Sequence, residues 1–192
     1  MTNPLLAPKS LFDEAIALIG AGDLGAAESR CRTAVAQYPR DVNMRALLGA
    51  LLIKVDRPED AEVALRQVIA DAPTFAKPHE DLGYLLLQKH RAEEAVPVLE
   101  QATRLDPEVE RAWFNLGRAL ALVGRGKDAD VAFEKSFELT PERRLMALAA
   151  EHHKEGRFQD AERLYKRILR QNPKNVDALR LLAQIASGTG HA

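Results

Sequence analysis

The densest run of titratable side chains in the chain is Glu151-His152-His153-Lys154-Glu155. Imidazoles and carboxylates are zinc ligands and the commonest general acids and bases. A helical zinc pair needs histidines at i and i+4 on one face, whereas adjacent residues point about 100° apart. No metal site is therefore expected, and the sequence predicts a partly buried His152 beside an exposed His153. The single cysteine, Cys31, occupies a place filled by Leu65, Leu99, Phe133 and Tyr165 elsewhere in the chain. That predicts a small core residue rather than a nucleophile, which needs an accessible thiolate. One cysteine also excludes an internal disulfide framework and a cysteine-rich zinc site. The glycine-rich segments Gly20-Ala21-Gly22 and Gly124-Arg125-Gly126 follow no strand and lack the lysine of a phosphate-binding loop. Arg163, Lys166, Arg167 and Arg170 alternate around a helix that also carries Glu162, the pattern of a solvated face. No catalytic residue, no cofactor and no metal are expected.

The elements that must position any site follow from composition. The chain has 192 residues, of which 31 are alanine and 27 leucine, and only 5% are aromatic. Ala and Leu lose little on entering a helix, whereas strands draw on β-branched and aromatic residues, so an all-α protein is expected. Lys and Arg number 27 against 28 Asp and Glu, a formal charge of -1. A nucleic-acid partner, which requires a concentrated basic surface, is not expected. Met1 to Gly20 is interrupted by Pro4, Pro8, Lys9, Asp13 and Glu14 and does not read as a secretory signal. No stretch approaches the roughly 20 apolar residues of a membrane-spanning helix. A soluble, cytoplasmic protein with no membrane partner is the expectation.

Internal repetition is the strongest signal. Pro39, Pro73, Pro107 and Pro141 recur every 34 residues, and Pro173 follows after 32. Ala27, Ala61, Ala95, Ala129 and Ala161 keep the same rhythm, and so do Gly49, Gly83 and Gly117, with Ala15, Ala149 and Ala183 in equivalent places. The small residues predict sites where two helices approach closely. The prolines predict helix boundaries, because proline lacks a backbone N–H and clashes inside a helix. Asp106-Pro107-Glu108 and Thr140-Pro141-Glu142 both read as N-cap, first helical residue and first-turn acid. Gly22, Asp56, His90, Gly124 and Gly156 mark the turn inside each unit, a place for left-handed backbone. Between these marks Leu82-Leu85-Leu86 and Leu116-Ala119-Leu120-Val123 recur at helical spacing, so each unit is predicted to be a helical hairpin.

With Trp113, Leu116, Gly117, Leu120, Ala129, Phe133 and Pro141 in place, the sequence resembles the tetratricopeptide repeat family. The resemblance covers about residues 8 to 186 and implies a right-handed superhelical solenoid of antiparallel helix pairs. Read as one repeat domain over 1–192, the chain holds repeats at 8–41, 42–75, 76–109, 110–141 and 142–175, with a partial sixth at 176–186. Two residues are lost between Pro141 and Ala149, which predicts a tighter connection and an altered packing angle between the fourth and fifth repeats. Pro97 falls early in a second helix and should lie in its first turn or kink it.

The resemblance further implies a non-catalytic scaffold that binds a protein or peptide partner in a groove lined by the first helix of each repeat. First-helix positions not used in packing are the candidates: Phe12, Ile16, Ile19, Ala46, Ala50, Ile53, Lys77, Glu80, Tyr84, Leu87, Arg111, Phe114, Asn115, Arg118, Met146, His153 and Arg180. In this reading Arg111, Arg118 and Arg143 receive an acidic group, because arginine pairs with carboxylates through two parallel bonds. Tyr84 and Phe114 then hold an apolar side chain. The carboxylate clamp of some family members is not matched: Asn115 fits its middle member, but Glu80, Tyr84 and Ala147 stand where the flanking residues belong. Leu179, Leu182, Ala183, Ile185 and Ala186 form an apolar stripe on the last helix, which predicts continuation into further repeats, a homodimer or a frayed end, with continuation favoured. Because Arg143 to Ile185 is similar to repeat regions preceding bacterial sulfotransferase domains, the alternative function is a regulatory or substrate-presenting arm of a larger enzyme.

Overall fold

A computed structural model describes residues 9–188. Residues 1–8, the first part of the segment read as no secretory signal, and residues 189–192 lie outside the described residues. Eleven α-helices and no strand occur among the described residues: α1 Lys9–Gly20, α2 Leu24–Gln37, α3 Val42–Lys54, α4 Pro58–Asp71, α5 Ala76–Gln88, α6 Ala92–Leu105, α7 Glu110–Leu122, α8 Gly126–Leu139, α9 Pro141–Lys154, α10 Phe158–Gln171 and α11 Val176–Gly188. The protein is all-α, built of helix pairs that follow one another in a helical-repeat arrangement. It divides into two compact units, one ending at Phe133 and one beginning at Glu134.

In the first unit each hairpin turns through a residue in the left-handed region: Gly22 at φ 80°, Asp56 at 58°, His90 at 56° and Gly124 at 80°. The second unit repeats the device at Gly156, with φ 76°. This backbone reverses the chain within three residues, so the second helix can lie back along the first. Where the two helices of a pair meet, the glycine column leaves no room for a side chain. A Cβ would come 2.8 Å from Leu65 Cδ2 at Gly49 and 2.7 Å from Phe133 Cδ1 at Gly117. Behind these contacts lie two cores of the first unit, one around Met44, Leu51 and Leu52, the other around Leu82, Leu86, Leu99 and Leu120. The second unit has its own core of Ala149, Ala161, Tyr165, Ile168, Ala178 and Ile185.

Three local expectations are sharpened or corrected. Thr140 alone joins α8 to α9, with Pro141 as the first helical residue and Glu142 in the first turn, whereas four residues precede α3, α5, α7 and α11. The connector is thus three residues shorter and α9, with 14 residues, one longer than the 13 of α3, α5, α7 and α11, which together make the two-residue loss. Asp106-Pro107-Glu108 is not a helix start: α7 begins at Glu110 behind the N-cap Val109, and Asp106 is the C-cap of α6. There the longer connector lets the Asp106 carboxylate accept a bond from Glu108 N–H at 3.2 Å within the turn instead. Pro97 lies inside α6 beyond the first turn, on an exposed face, so the helix tolerates the missing donor where water reaches the freed carbonyl. At the starts of α3 and α11, Asp41 and Asn175 accept from Met44 N–H at 3.0 Å and Ala178 N–H at 2.8 Å, which satisfies donors that the helix cannot.

Candidate functional site

Within the first unit, α1, α3 and α5 surround a recess of about 180 Å³ lined by Phe12, Asn43, Ala46, Leu47, Ala50, Phe75, Lys77 and Asp81. It exists because α3 presents the small Ala46 and Ala50 between the rings of Phe12, on α1, and Phe75, the residue preceding α5. Its lining is apolar except for Asn43, Lys77 and Asp81. A smaller recess of about 80 Å³ follows beside α5 and α7, lined by Ala76, Lys77, Glu80, Ala102, Asp106, Val109 and Ala112.

Two carboxylates are buried on this face of α5, Glu80 at 4% exposure and Asp81 at 5%. Lys77 Nζ, one turn earlier, lies 3.1 Å from Glu80 Oε2 and 2.6 Å from Asp81 Oδ1. From α7, Arg111 donates Nη2 to Asp81 Oδ1 at 3.1 Å and Nε to Glu80 Oε1. Two cations thus balance two anions. Asp81 Oδ2 is buried and has no hydrogen-bond partner. Burial pushes the Asp81 carboxyl above its ordinary range, against the pull of Lys77 and Arg111.

This arrangement corrects the assignment of Arg111. Its guanidinium is committed to Glu80 and Asp81, so it is not an open receptor for a partner's acid. Arg118, half-buried on α7, donates Nη1 to Asn115 Oδ1 at a long 3.4 Å, while Asn115 is 3% exposed and its Nδ2 has no partner. Phe114 packs edge-on against Phe133, with ring centroids 5.6 Å apart at 61°, so its ring already has an internal neighbour. Leu87 is buried in the core at 5% and lines neither recess. Ile16 is open at 45%. Tyr84 and Ile53 line a separate recess near the hairpin turns with Asp56, Pro58, Leu85, Gln88 and Lys89.

The remaining candidates belong to the second unit. Met146 packs half-buried against its core. His153 is half-buried, not exposed, because its ring stands edge-on to Phe158 at 5.5 Å and 82°. Arg180 lies 3.6 Å from Asp177 on an exposed surface. The apolar stripe of α11 is occupied in part: Ile185 is 4% exposed and Leu182 half-buried within the unit's own core, while Leu179, at 48%, Ala183 and Ala186 are exposed. Cys31 is fully buried, and burial pushes its thiol up, which removes it as a nucleophile. Among the described residues no helix is long and apolar enough to cross a membrane.

The sequence reading missed Asn43, Leu47, Phe75 and above all Asp81. A signal was present, since Asp81 stands 34 residues before Asn115 and two before Gly83, the same place in the preceding repeat. A buried charge at an expected groove position leaves no local mark, however, until its partners are known.

Three comparisons bear on what these hairpins are. Tetratricopeptide repeat family models match residues 18–79, 80–136 and 141–185. No curated protein gives a match. Among solved structures, a thermophilic repeat protein of Thermus thermophilus, TTC0263, has a TM-score of 0.76 and 21% identity, covering 92% of this chain and 97% of that one. PilF of Pseudomonas aeruginosa has a TM-score of 0.70 and 22% identity, with coverages of 95% and 84%. YrrB, described as a repeat protein with an unusual peptide-binding site, has a TM-score of 0.61 and 17% identity, with 89% of each chain covered. At such identities the structural likeness speaks for the fold alone. With the periodic small residues holding helix pairs together and family models matching along nearly the whole described length, the chain belongs to the tetratricopeptide repeat family.

Proposed function

We propose that the protein is a non-catalytic interaction scaffold that holds an extended peptide, or such a segment of a protein partner, against the first helices of its repeats. The observation that carries this reading is the apolar recess between α1, α3 and α5, edged by polar groups. Apolar concavities with a few placed polar groups are where ligands gain affinity and orientation. The buried, raised-pKa Cys31 speaks against thiol chemistry, and Glu80 and Asp81 are each tied to cations rather than poised as a free acid and base. YrrB, the relative described as carrying a peptide-binding site, shares the fold, which lends analogy only.

The test is selection of dodecamers from a random peptide display on the chain, followed by NMR titration of the labelled protein with the selected peptide. Amide shifts should concentrate in α3, α5 and α7, and Arg118→Glu should weaken a peptide that carries an acid. Failure to select any peptide, or shifts confined to α4 and α6, would overturn the scaffold groove.

A further inference from the structure

We infer that a recess of about 380 Å³ bounded by α4, α5 and α6 binds a small, neutral, indole-like molecule, its fused ring among Ile69, Leu82, Pro97 and Val98 and its N–H donating to Nε2 of His79. The site goes beyond the scaffold reading and does not rest on it. It shares no lining residue with the recess between α1, α3 and α5, nor with the smaller one beside α5 and α7. The repeat itself explains why the space is there. His79 stands four residues before Gly83, and the same place before Gly117 in the next repeat is held by Trp113. The Trp113 indole packs against the core of the unit and donates Nε1 to the Pro107 carbonyl at 2.8 Å. An imidazole is smaller by a fused benzene ring, so the third repeat is short of that volume where α5 meets α4 and α6. Its neighbours do not close the gap. The volume left falls among the roughly 300–1,000 Å³ of small-molecule sites.

The second ground is the imidazole. His79 is only 5% exposed, and its Nδ1 lies 3.0 Å from the Phe75 carbonyl oxygen one turn earlier. A carbonyl only accepts, so Nδ1 carries the proton, and in the neutral ring Nε2 keeps a lone pair. The two ring nitrogens point in nearly opposite directions, so Nε2 is turned away from the α5 backbone. It has no hydrogen-bond partner among the described residues, yet it is not sealed off from solvent, and the ring lines this recess. An apolar ligand would cover that acceptor and leave it unpaired, whereas a ligand with a donor satisfies it. Charge argues against an ionic ligand. Arg66, on the rim, is held by Glu62 at 2.9 Å and by Glu94 at 3.3 Å. An anion would have to take Arg66 from both acids, and a cation would face it with no carboxylate lining the recess.

The probes are indole and N-methylindole, titrated into the isotope-labelled full chain and followed by NMR. Indole should bind in the millimolar range or tighter and move the amides around Ile69, Leu82 and Val98. N-methylindole keeps the ring and lacks the donor, so it should bind about tenfold more weakly. The Nε2 resonance of His79 should shift with indole and stay in place with N-methylindole. His79→Phe removes the acceptor but keeps a ring, so on that chain the two ligands should bind alike. His79→Trp supplies the missing ring from within and should abolish binding of both. The ligand pair leaves the protein untouched, so it decides the matter even where a variant fails to fold. Equal affinity of the parent chain for both probes, indole shifts that avoid these residues, or no shift at a few millimolar would each overturn the site. The peptide groove has its own test in display selection and stands or falls separately.

Discussion

Gly83 and Leu99 meet so closely across the α5–α6 pair that a Cβ on the glycine would come 2.4 Å from Leu99 Cγ. Leu99 is fully buried, so it cannot swing aside. Gly83→Ala should therefore destabilise the protein in urea denaturation by up to about 2 kcal/mol, the overpacking cost of about 1–3 kcal/mol less the gain of about 1 kcal/mol from replacing a helical glycine. In a Leu99→Ala background the same change should become neutral or stabilising. A penalty that persisted there would show that the glycine serves something other than this contact.

His90 adopts φ 56° at the α5–α6 turn without the glycine found at Gly22, Gly124 and Gly156. A side chain in that region is strained. His90→Gly should raise stability by about 0.5–1 kcal/mol, since relief of strain exceeds the added freedom of the unfolded chain. Thermal melting checks it; a lower midpoint would mean the imidazole makes a contribution of its own.

Glu62 is the hub of an ion-pair cluster, 3.0 Å from Lys89 Nζ, 2.9 Å from Arg66 Nη2 and 2.8 Å from Arg91 Nη1. Burial opposes its charge, but the three hydrogen-bonded cations win and hold its pKa down to about 2, against an ordinary 4.5. A depressed carboxylate stabilises the fold above its unfolded pKa and loses that contribution as pH falls from about 4.5 towards 2. Solvent screens much of the pairing, so the amount at neutral pH is about 1 kcal/mol. Glu62→Gln should lower stability by that amount at pH 7 and flatten the acid limb of a pH series. Identical limbs in variant and parent would remove the cluster from the account.

Tyr165 is fully buried in the second unit, with no hydrogen-bond partner for its hydroxyl. A buried hydroxyl left unpaired costs free energy without return. Tyr165→Phe should thus be neutral or stabilising by up to about 1 kcal/mol in chemical denaturation. A clear loss would reveal a bond to the hydroxyl in solution.

Periodicity alone determined where the helices of the repeats lie, where the hairpins turn and which residues must be small. Those properties are local or recur at a fixed interval: Gly49, Gly83 and Gly117 announce close contacts because a missing side chain has one meaning when it returns in phase with a leucine or phenylalanine. Helix entry was less legible, since Asp106-Pro107-Glu108 and Thr140-Pro141-Glu142 look alike and differ only in how many residues precede the helix. What tertiary structure alone decided was the state of the candidate groove residues. Glu80 and Arg111 stand 31 residues apart, and nothing in either neighbourhood says that they neutralise each other, because pairing depends on how α5 and α7 lie side by side. The same packing hides Leu87, leaves Ile16 open and strands one oxygen of Asp81 without a donor. Sequence period fixes the face on which a side chain stands, but its charge state and accessibility are set by whatever the neighbouring repeat brings against it.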